Sequence, residues 1–463
     1  MSLLTKWLPG LCLPALVFLL SGCRQLVRAP LPENEMSIGA VFGSDADAQQ
    51  AMAGVYVTMM NNSRAAFNGG ISLDAGLSAD ELYCTQPYAP EDSFQLFKLP
   101  PSNMQNTRIF NTIYELVYFL NTMLAGLPGS SGVSAPVKAR LEGEVLFNRA
   151  LLYFYLVNLY GGVPIALTPK YMTNTSLQRA SADSVNARVI ADLQKAVLLL
   201  PEEYISDASD PGARTRPNQA AAKALLARVW LYRGQWDSAE AAAANVIGDP
   251  RYQLESDPDS VFLSRSREAI WQLQPVYEDK ATADGYAYLK PAPIGRPLYV
   301  LTTDLLGSME AGDERKLHWT HSLVYKGQVL VCPFKYKLLA DTGTAMEYEM
   351  VLRLAEQYLI RAEARARQGE LSGAISDVNV IRARAGLAPT PAMTQTDILD
   401  AIAHERRIEL FTEWGHRWLD LKRTGQATTV LQTKTGWDPH DSLYPIPAAE
   451  LLANPGMPQN PGY

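Results

Sequence analysis

The sequence predicts a mostly α-helical fold, on three observations. Apolar residues recur at three- or four-residue spacing over long stretches, helix-stopping glycines and prolines stand at the ends of those stretches, and two helical hairpins share the same small residues. Taken in order, Ser44-Asp45 caps a helix through Ala48, Met52, Val55, Tyr56 and Met59. Residues 61–103 are rich in loop formers. Periodicity returns at 105–126, with Ile109, Ile113, Leu116, Leu120 and Leu124 on one stripe. A strong helix runs from Val137 to Tyr160 until Gly161-Gly162-Val163-Pro164 stops it, because glycine accepts the left-handed cap and proline cannot continue. Helix 181–200 ends at Pro201. Residues 248–350 read differently: Ile270 to Gln274 alternates like a strand, and prolines, glycines and tyrosines follow. Residues 395–424 are helical again, with Ile408, Phe411, Trp414, Trp418 and Leu421 forming a buried stripe beside Glu405, Arg406, Arg407 and Glu409. The proline-rich end, 438–463, is expected to lie extended over the body.

The two hairpins are the most telling internal feature. Ala227 to Ala239 resembles a tetratricopeptide helix-turn-helix, and Ala362 to Ala374 is a second copy. Aligning Gly234 with Gly369 also aligns Ala239 with Ala374 and Val246 with Ile381, small or apolar positions where antiparallel helices approach closely. The copies stand 135 positions apart, so they do not form a regular tandem array.

Bulk properties narrow the function. With 47% hydrophobic and 19% charged residues the chain is globular, not disordered. Its net charge of −7 and the lack of any basic stripe exclude nucleic acid as the expected partner. At the start, Lys6, the uncharged run Trp7 to Leu20 and the small pair Ser21-Gly22 have the order of a secretory signal. Leu20-Ser21-Gly22-Cys23 resembles a bacterial lipobox, which implies cleavage before Cys23, acylation of its thiol and new amine, and a membrane anchor. The expected division is a signal peptide at 1–22, a lipidated tether at 23–44 and one domain at 45–463, with an N-terminal part over about 45–300 and a C-terminal part over about 270–463. Cys84 and Cys332 remain in the mature chain, either paired or as two buried thiols.

Catalytic signatures are scarce. His404-Glu405-Arg406-Arg407-Ile408 starts like a zinc-protease helix but has Ile408 where a second histidine is needed. His318 and His321 lack an accompanying ligand set. There is no Gly-x-Ser-x-Gly elbow, no phosphate-cradling glycine loop and no Asp-x-Asp-x-Asp-Gly calcium loop. Neither cofactor nor metal is expected, and the chain reads as a binder and not an enzyme.

Several stretches resemble the SusD/RagB family of outer-membrane nutrient-binding lipoproteins. Asn148 to Pro164, with its Tyr-Gly-Gly-x-Pro stop, is similar to a helix of that family. So are Gly312-Asp313-Glu314-Arg315-Lys316, Lys335-Tyr336, Leu352 to Ala364, and Glu405 to Leu410 with Gly415 to Arg423. The closing segment, Tyr444-Pro445-Ile446-Pro447 with Glu450 and Asn454 to Tyr463, is similar too. The resemblance covers nearly the whole mature chain in family order. It implies a SusD-like fold: tetratricopeptide-like helical repeats with an irregular, loop-rich half. It implies glycan capture at the outer membrane, facing outside, and delivery to a SusC-like TonB-dependent transporter on which the lipoprotein sits as a lid. A peptide-binding RagB-type role is the alternative; a glycoside-cleaving enzyme and a pure protein scaffold rank below it.

A sugar presents hydroxyls all round and an apolar C–H face, so its site wants exposed rings beside amides, carboxylates or arginines. Two segments supply that mix. The first, 64–95, holds Arg64, Asn68, Asp80, Glu81, Tyr83, Gln86, Tyr88 and Phe94. The second, 274–325, holds Gln274, Tyr277, Asp279, Tyr286, Tyr288, Trp319 and Tyr325. From these the expected ligand contacts are Arg64, Asn68, Tyr83, Tyr88, Tyr277, Tyr286, Tyr288 and Trp319. For any single ring, packing and ligand contact are both open.

Overall fold

The computed structural model describes residues 41–86, 90–205, 212–276, 281–289, 295–339 and 347–463. Cys23, the signal segment and most of the tether lie outside the described residues, as do Tyr88, Tyr277 and Asp279. Helices of eight residues or more run Asp45–Met60 (α1), Ile71–Ser78 (α2), Met104–Gly126 (α3), Ala135–Tyr160 (α4), Ala182–Leu199 (α5) and Gln219–Tyr232 (α6). They continue with Trp236–Ile247 (α7), Leu354–Gln368 (α8), Leu371–Arg384 (α9), Gln395–Glu409 (α10) and His416–Arg423 (α11). Six short strands pair two by two: Leu82–Cys84 (β1) with Tyr299–Leu301 (β3), Ala269–Leu273 (β2) with Glu349–Arg353 (β6), and Thr320–Tyr325 (β4) with Gln328–Pro333 (β5). The fold is mostly α, as the periodicity predicts. No described helix is long and apolar enough to cross a membrane.

The helices form a continuous stack: α3 packs on α4, α4 on α5, α5 on α6, α6 on α7, α7 on α8, and α8 on both α9 and α10. The two hairpin copies, remote in sequence, are therefore neighbours in space. Ala227, Leu231, Ala239, Ala242 and Ala243 of the first share a buried cluster with Ile360 and Ala364 of the second. The β2–β6 pair closes the chain excursion between them, because Ala269 stands opposite Arg353. Each hairpin turns at a left-handed glycine, Gly234 at φ +67° and Gly369 at φ +85°. A Cβ at Gly369 would meet nothing within 4 Å, so the need there is conformational only. Gly369→Ala should cost about 1–2 kcal/mol in urea unfolding, through the left-handed penalty alone.

The family-like motifs, scattered along the chain, meet in one buried ionic node. Arg353, at the end of β6, donates to Glu268 (2.8 Å), Glu409 (2.6 Å) and Glu413 (2.7 Å). Arg315 binds Asp313 in a two-pronged pair and reaches Glu405 and Glu409 on α10. Arg384 of α9 pairs with Glu268 and Glu409, and Lys335 with Glu413. Nearby, Arg406 clamps Asp420, and Arg423 joins Asp420 to Glu363. The expected structural role of the Glu405–Glu409 charges is what these contacts describe. Buried ion pairs of this kind fix which elements meet, because each unpaired charge would be costly.

Three expectations are corrected. Residues 395–424 are not one helix: Thr412 (φ +55°), Trp414 (φ +50°) and Gly415 (φ +71°) break it between α10 and α11. Phe411, Trp414 and Trp418 are nonetheless all buried. The break is held from outside, since Ser72 Oγ accepts from Trp414 N (3.1 Å) and Glu81 from Thr412 N (3.2 Å). The strand at 270–274 does not alternate between core and solvent; all of β2 is buried, with Trp271 edge-on to Phe147 of α4. The C-terminal segment runs over the body but is not extended throughout: it holds the short helix Ala448–Ala453 and is pinned at several points. Tyr444 and Ile446 are buried, and Asn460 Nδ2 donates to the carbonyls of Tyr160 and Tyr444. At the other end Phe42 is already buried, in the space that Gly126 leaves.

Candidate functional site

The two loop segments singled out by composition are joined by backbone pairing. β1 runs antiparallel to β3, with Tyr83 opposite Val300 and Cys84 opposite Tyr299. The β4–β5 hairpin packs on β3 through a cluster of Val300, Leu330 and Cys332. Its turn residues, Lys326 (φ +48°) and Gly327 (φ +80°), are both left-handed, which suits the twist of a tight hairpin. Tyr83, Leu323 and Tyr325 lie half-buried against this cluster. Arg296 stacks 5.8 Å over the Tyr325 ring and Lys326 lies 5.4 Å from it. Beside the hairpin, the short helix Ala283–Leu289 contacts both β3 and β5 and shows Tyr286 to solvent (39% exposed).

Arg64 holds the other face of the β1–β3 pair, through Tyr299. Its backbone is left-handed (φ +67°), its Nη1 donates to Tyr299 Oη (3.1 Å), and its Nη2 faces Glu91 (3.0 Å) and Asp74 (3.5 Å). Burial pushes the Asp74 carboxyl up to about 7 even though Arg64 pulls it down. Below the surface Asp80 is clamped by Arg417 (2.7 and 2.9 Å) and by Arg407 (2.7 Å). Burial first, then the neighbouring Asp80 charge, pushes Glu81 up to about 8. A carboxyl raised this way stabilises the fold fully below its unfolded value near 4.5, and that contribution is lost as pH rises through about 8. The wild-type chain should therefore lose on the order of 3–5 kcal/mol from this group between those limits. Melting curves of Glu81→Gln, measured across the same window, should show a correspondingly flatter decline.

The sequence-predicted residues divide. Tyr83 and Tyr325 are half-buried against the Val300 cluster, Tyr286 is exposed on the adjoining short helix, and Arg64 is half-buried against Tyr299, on the other face of the β1–β3 pair. Asn68 is not displayed: it is buried in the kinked turn Ala66–Gly70, its Nδ2 donating to Met60 O (2.8 Å). Tyr288 is buried on the inner face of its helix, two residues on from Tyr286 and therefore on the opposite side. Trp319 is fully buried. Its Nε1 donates to Pro258 O (3.0 Å), and Lys335 Nζ lies 4.8 Å over its ring, so it roofs the ionic node and offers no face to a ligand. Phe94 is buried edge-on to Tyr444. Much of 61–86, expected as open loop, is the buried helix α2 and the turn before it. Arg296 and Lys326 at the Tyr325 ring, and Glu91 at Arg64, are neighbours that composition does not single out. The hairpin's signal was legible as two alternating runs about Lys326-Gly327.

Cys84 and Cys332 are free and buried. Among the described residues one group has metal-ligand spacing: Asp257, Asp259 and His318. Lys337 Nζ already occupies Asp259 at 3.0 Å, which leaves little unmet negative charge for a cation.

Comparison with known proteins agrees with this architecture. A family model described as SusD family matches residues 312–463, and one described as starch-binding associating with outer membrane matches residues 45–231. A SusD-like protein, P25, of Formosa agariphila is 24% identical over 95% of this chain and 95% of its own. The starch-binding protein SusD of Bacteroides thetaiotaomicron is 36% identical over 126 residues, 24% of this chain and 21% of that one. Among solved structures, a laminarin-binding SusD-like protein superposes with a TM-score of 0.77 at 26% identity, covering 91% of this chain and all (100%) of the other. With two family models in consecutive order, relatives aligned over nearly its full length and the same helical stack, the chain belongs to the SusD/RagB family.

Proposed function

We propose that this protein captures an oligo- or polysaccharide without cleaving it and passes it to a SusC-like TonB-dependent transporter. The observation that carries the reading is the β1–β3 pairing. It joins two distant loop segments, so that Tyr83 and Tyr325 pack on one cluster with Arg296 over the Tyr325 ring and Tyr286 exposed on the adjoining short helix; Arg64 and Gln86, from the first segment, complete the proposal. Rings supply the faces on which sugar C–H groups stack, and the guanidinium and amide groups meet hydroxyls. Tyr88 and Tyr277 belong to the same two segments by sequence and are part of the proposal. Relatives named for starch and laminarin binding support a glycan as ligand. In this reading Cys23 carries the lipid that holds the protein to the outer membrane, facing outward. Residues 45–463 act as one domain, which is supported by one large buried apolar cluster that draws residues from Phe42 to Met457.

A glycan array probed with the purified protein tests the reading, followed by chromatography of the incubated ligand. Retention of an intact oligosaccharide is the expected result. Shortened products would make it an enzyme, and binding of peptides alone would make it a RagB-type peptide receptor.

A further inference from the structure

A second cleft lies away from the loop surface. It has a volume of about 320 Å³ and opens between α3, the segment around 164–177 and the short helix Ala448–Ala453. Phe110, Tyr114, Tyr118 and Tyr171 line it, together with Asn174 and Glu450. Tyr118 (49% exposed) and Tyr171 (76% exposed) stand at its mouth.

The polar groups of this cleft are unbalanced in one direction. Inside it several polar groups are engaged: Tyr114 Oη gives its proton to Pro164 O (2.8 Å), Asn121 Nδ2 donates to Ala166 O (2.9 Å) and Asn454 Nδ2 to Leu177 O (2.8 Å). Two acceptors are not. Asn174 Oδ1 is buried with no donor, although its Nδ2 is used on Thr168 O. Glu450 has no ion pair or side-chain hydrogen bond among the described residues, and burial alone holds its carboxyl above the ordinary range. An anion would be repelled by Glu450. A cation carrying N–H groups would satisfy both acceptors and lie against the negative faces of the rings.

We propose that this cleft binds one alkylammonium group, of the kind carried by a lysine side chain or an amino sugar, between the aromatic rings and the Glu450 carboxylate. The assignment does not depend on the glycan reading, since no residue of the cleft belongs to the loop surface.

The test is calorimetric titration of the full-length protein with n-butylammonium, with n-butanol as the neutral match. The ammonium should bind about tenfold more tightly than the alcohol. Glu450→Gln should abolish that preference. Tyr171→Ala, at an exposed position that the fold does not need, should weaken the ammonium several-fold. N-acetyl-lysinamide and glucosamine are then competed against n-butylammonium; displacement by either supports the site and identifies the better carrier. Equal binding of amine and alcohol, an unchanged Glu450→Gln variant, or displacement by neither competitor would overturn it.

Discussion

Arg353→Met is expected to lower the free energy of unfolding by about 3–5 kcal/mol. The side chain of Arg353 is almost wholly buried and serves three carboxylates, from Glu268, Glu409 and Glu413. Methionine fills similar space but leaves those charges in a site closed to water, with Arg384, Arg315 and Lys335 as the remaining counter-charges. Denaturant unfolding monitored by circular dichroism reads the change directly. The double variant Arg353→Met with Glu413→Gln removes one of the orphaned charges and should recover part of the loss. A single variant within about 1 kcal/mol of wild type would mean that the node contributes little. Because Glu268 stands at the start of β2 and Arg353 at the end of β6, the same variant should loosen the junction between the helical stack and the irregular half.

Simultaneous replacement of Tyr83, Tyr286 and Tyr325 by alanine is expected to weaken glycan binding about thirtyfold or more, with little change in stability. Each stacked ring contributes roughly 0.5–1.5 kcal/mol beyond its area, and the three act on one ligand. None of the three is fully buried, so removing them leaves the core closed. Trp319→Ala is the instructive contrast. It should unfold or destabilise the protein strongly, because its ring lies under Lys335, Arg353 and Arg384. If Trp319→Ala folded normally and lost only ligand, the assignment of that ring to the node would be wrong.

The helical half was legible from sequence because its signals are local. Spacing within α3 and α4, the stop at Gly161 and the paired small residues of the hairpins all act over a few residues. The juxtaposition of the two hairpins was not legible, since it depends on α7 meeting α8 across an excursion of more than a hundred residues. The break after α10 was hidden for a related reason. Ile408, Phe411, Trp414 and Trp418 keep helical spacing in sequence, while the contacts that bend the chain come from Ser72 and Glu81 far upstream. In the candidate site, composition marked two segments that the β1–β3 pairing joins, but it could not sort buried rings from exposed ones. Tyr286 and Tyr288 differ only in which side of one short helix they occupy. Trp319 is drawn inward by Lys335, sixteen positions later and on another element. Amino-acid type states what a side chain could do; exposure, set by distant partners, states which of those things it does.

The most direct test is hydrogen–deuterium exchange with and without a saturating oligosaccharide chosen from the array. Slowed exchange confined to residues 82–86, 283–289 and 320–330 is the predicted result. Slowed exchange on the helical stack alone, with those three stretches unchanged, would contradict glycan capture on the irregular face.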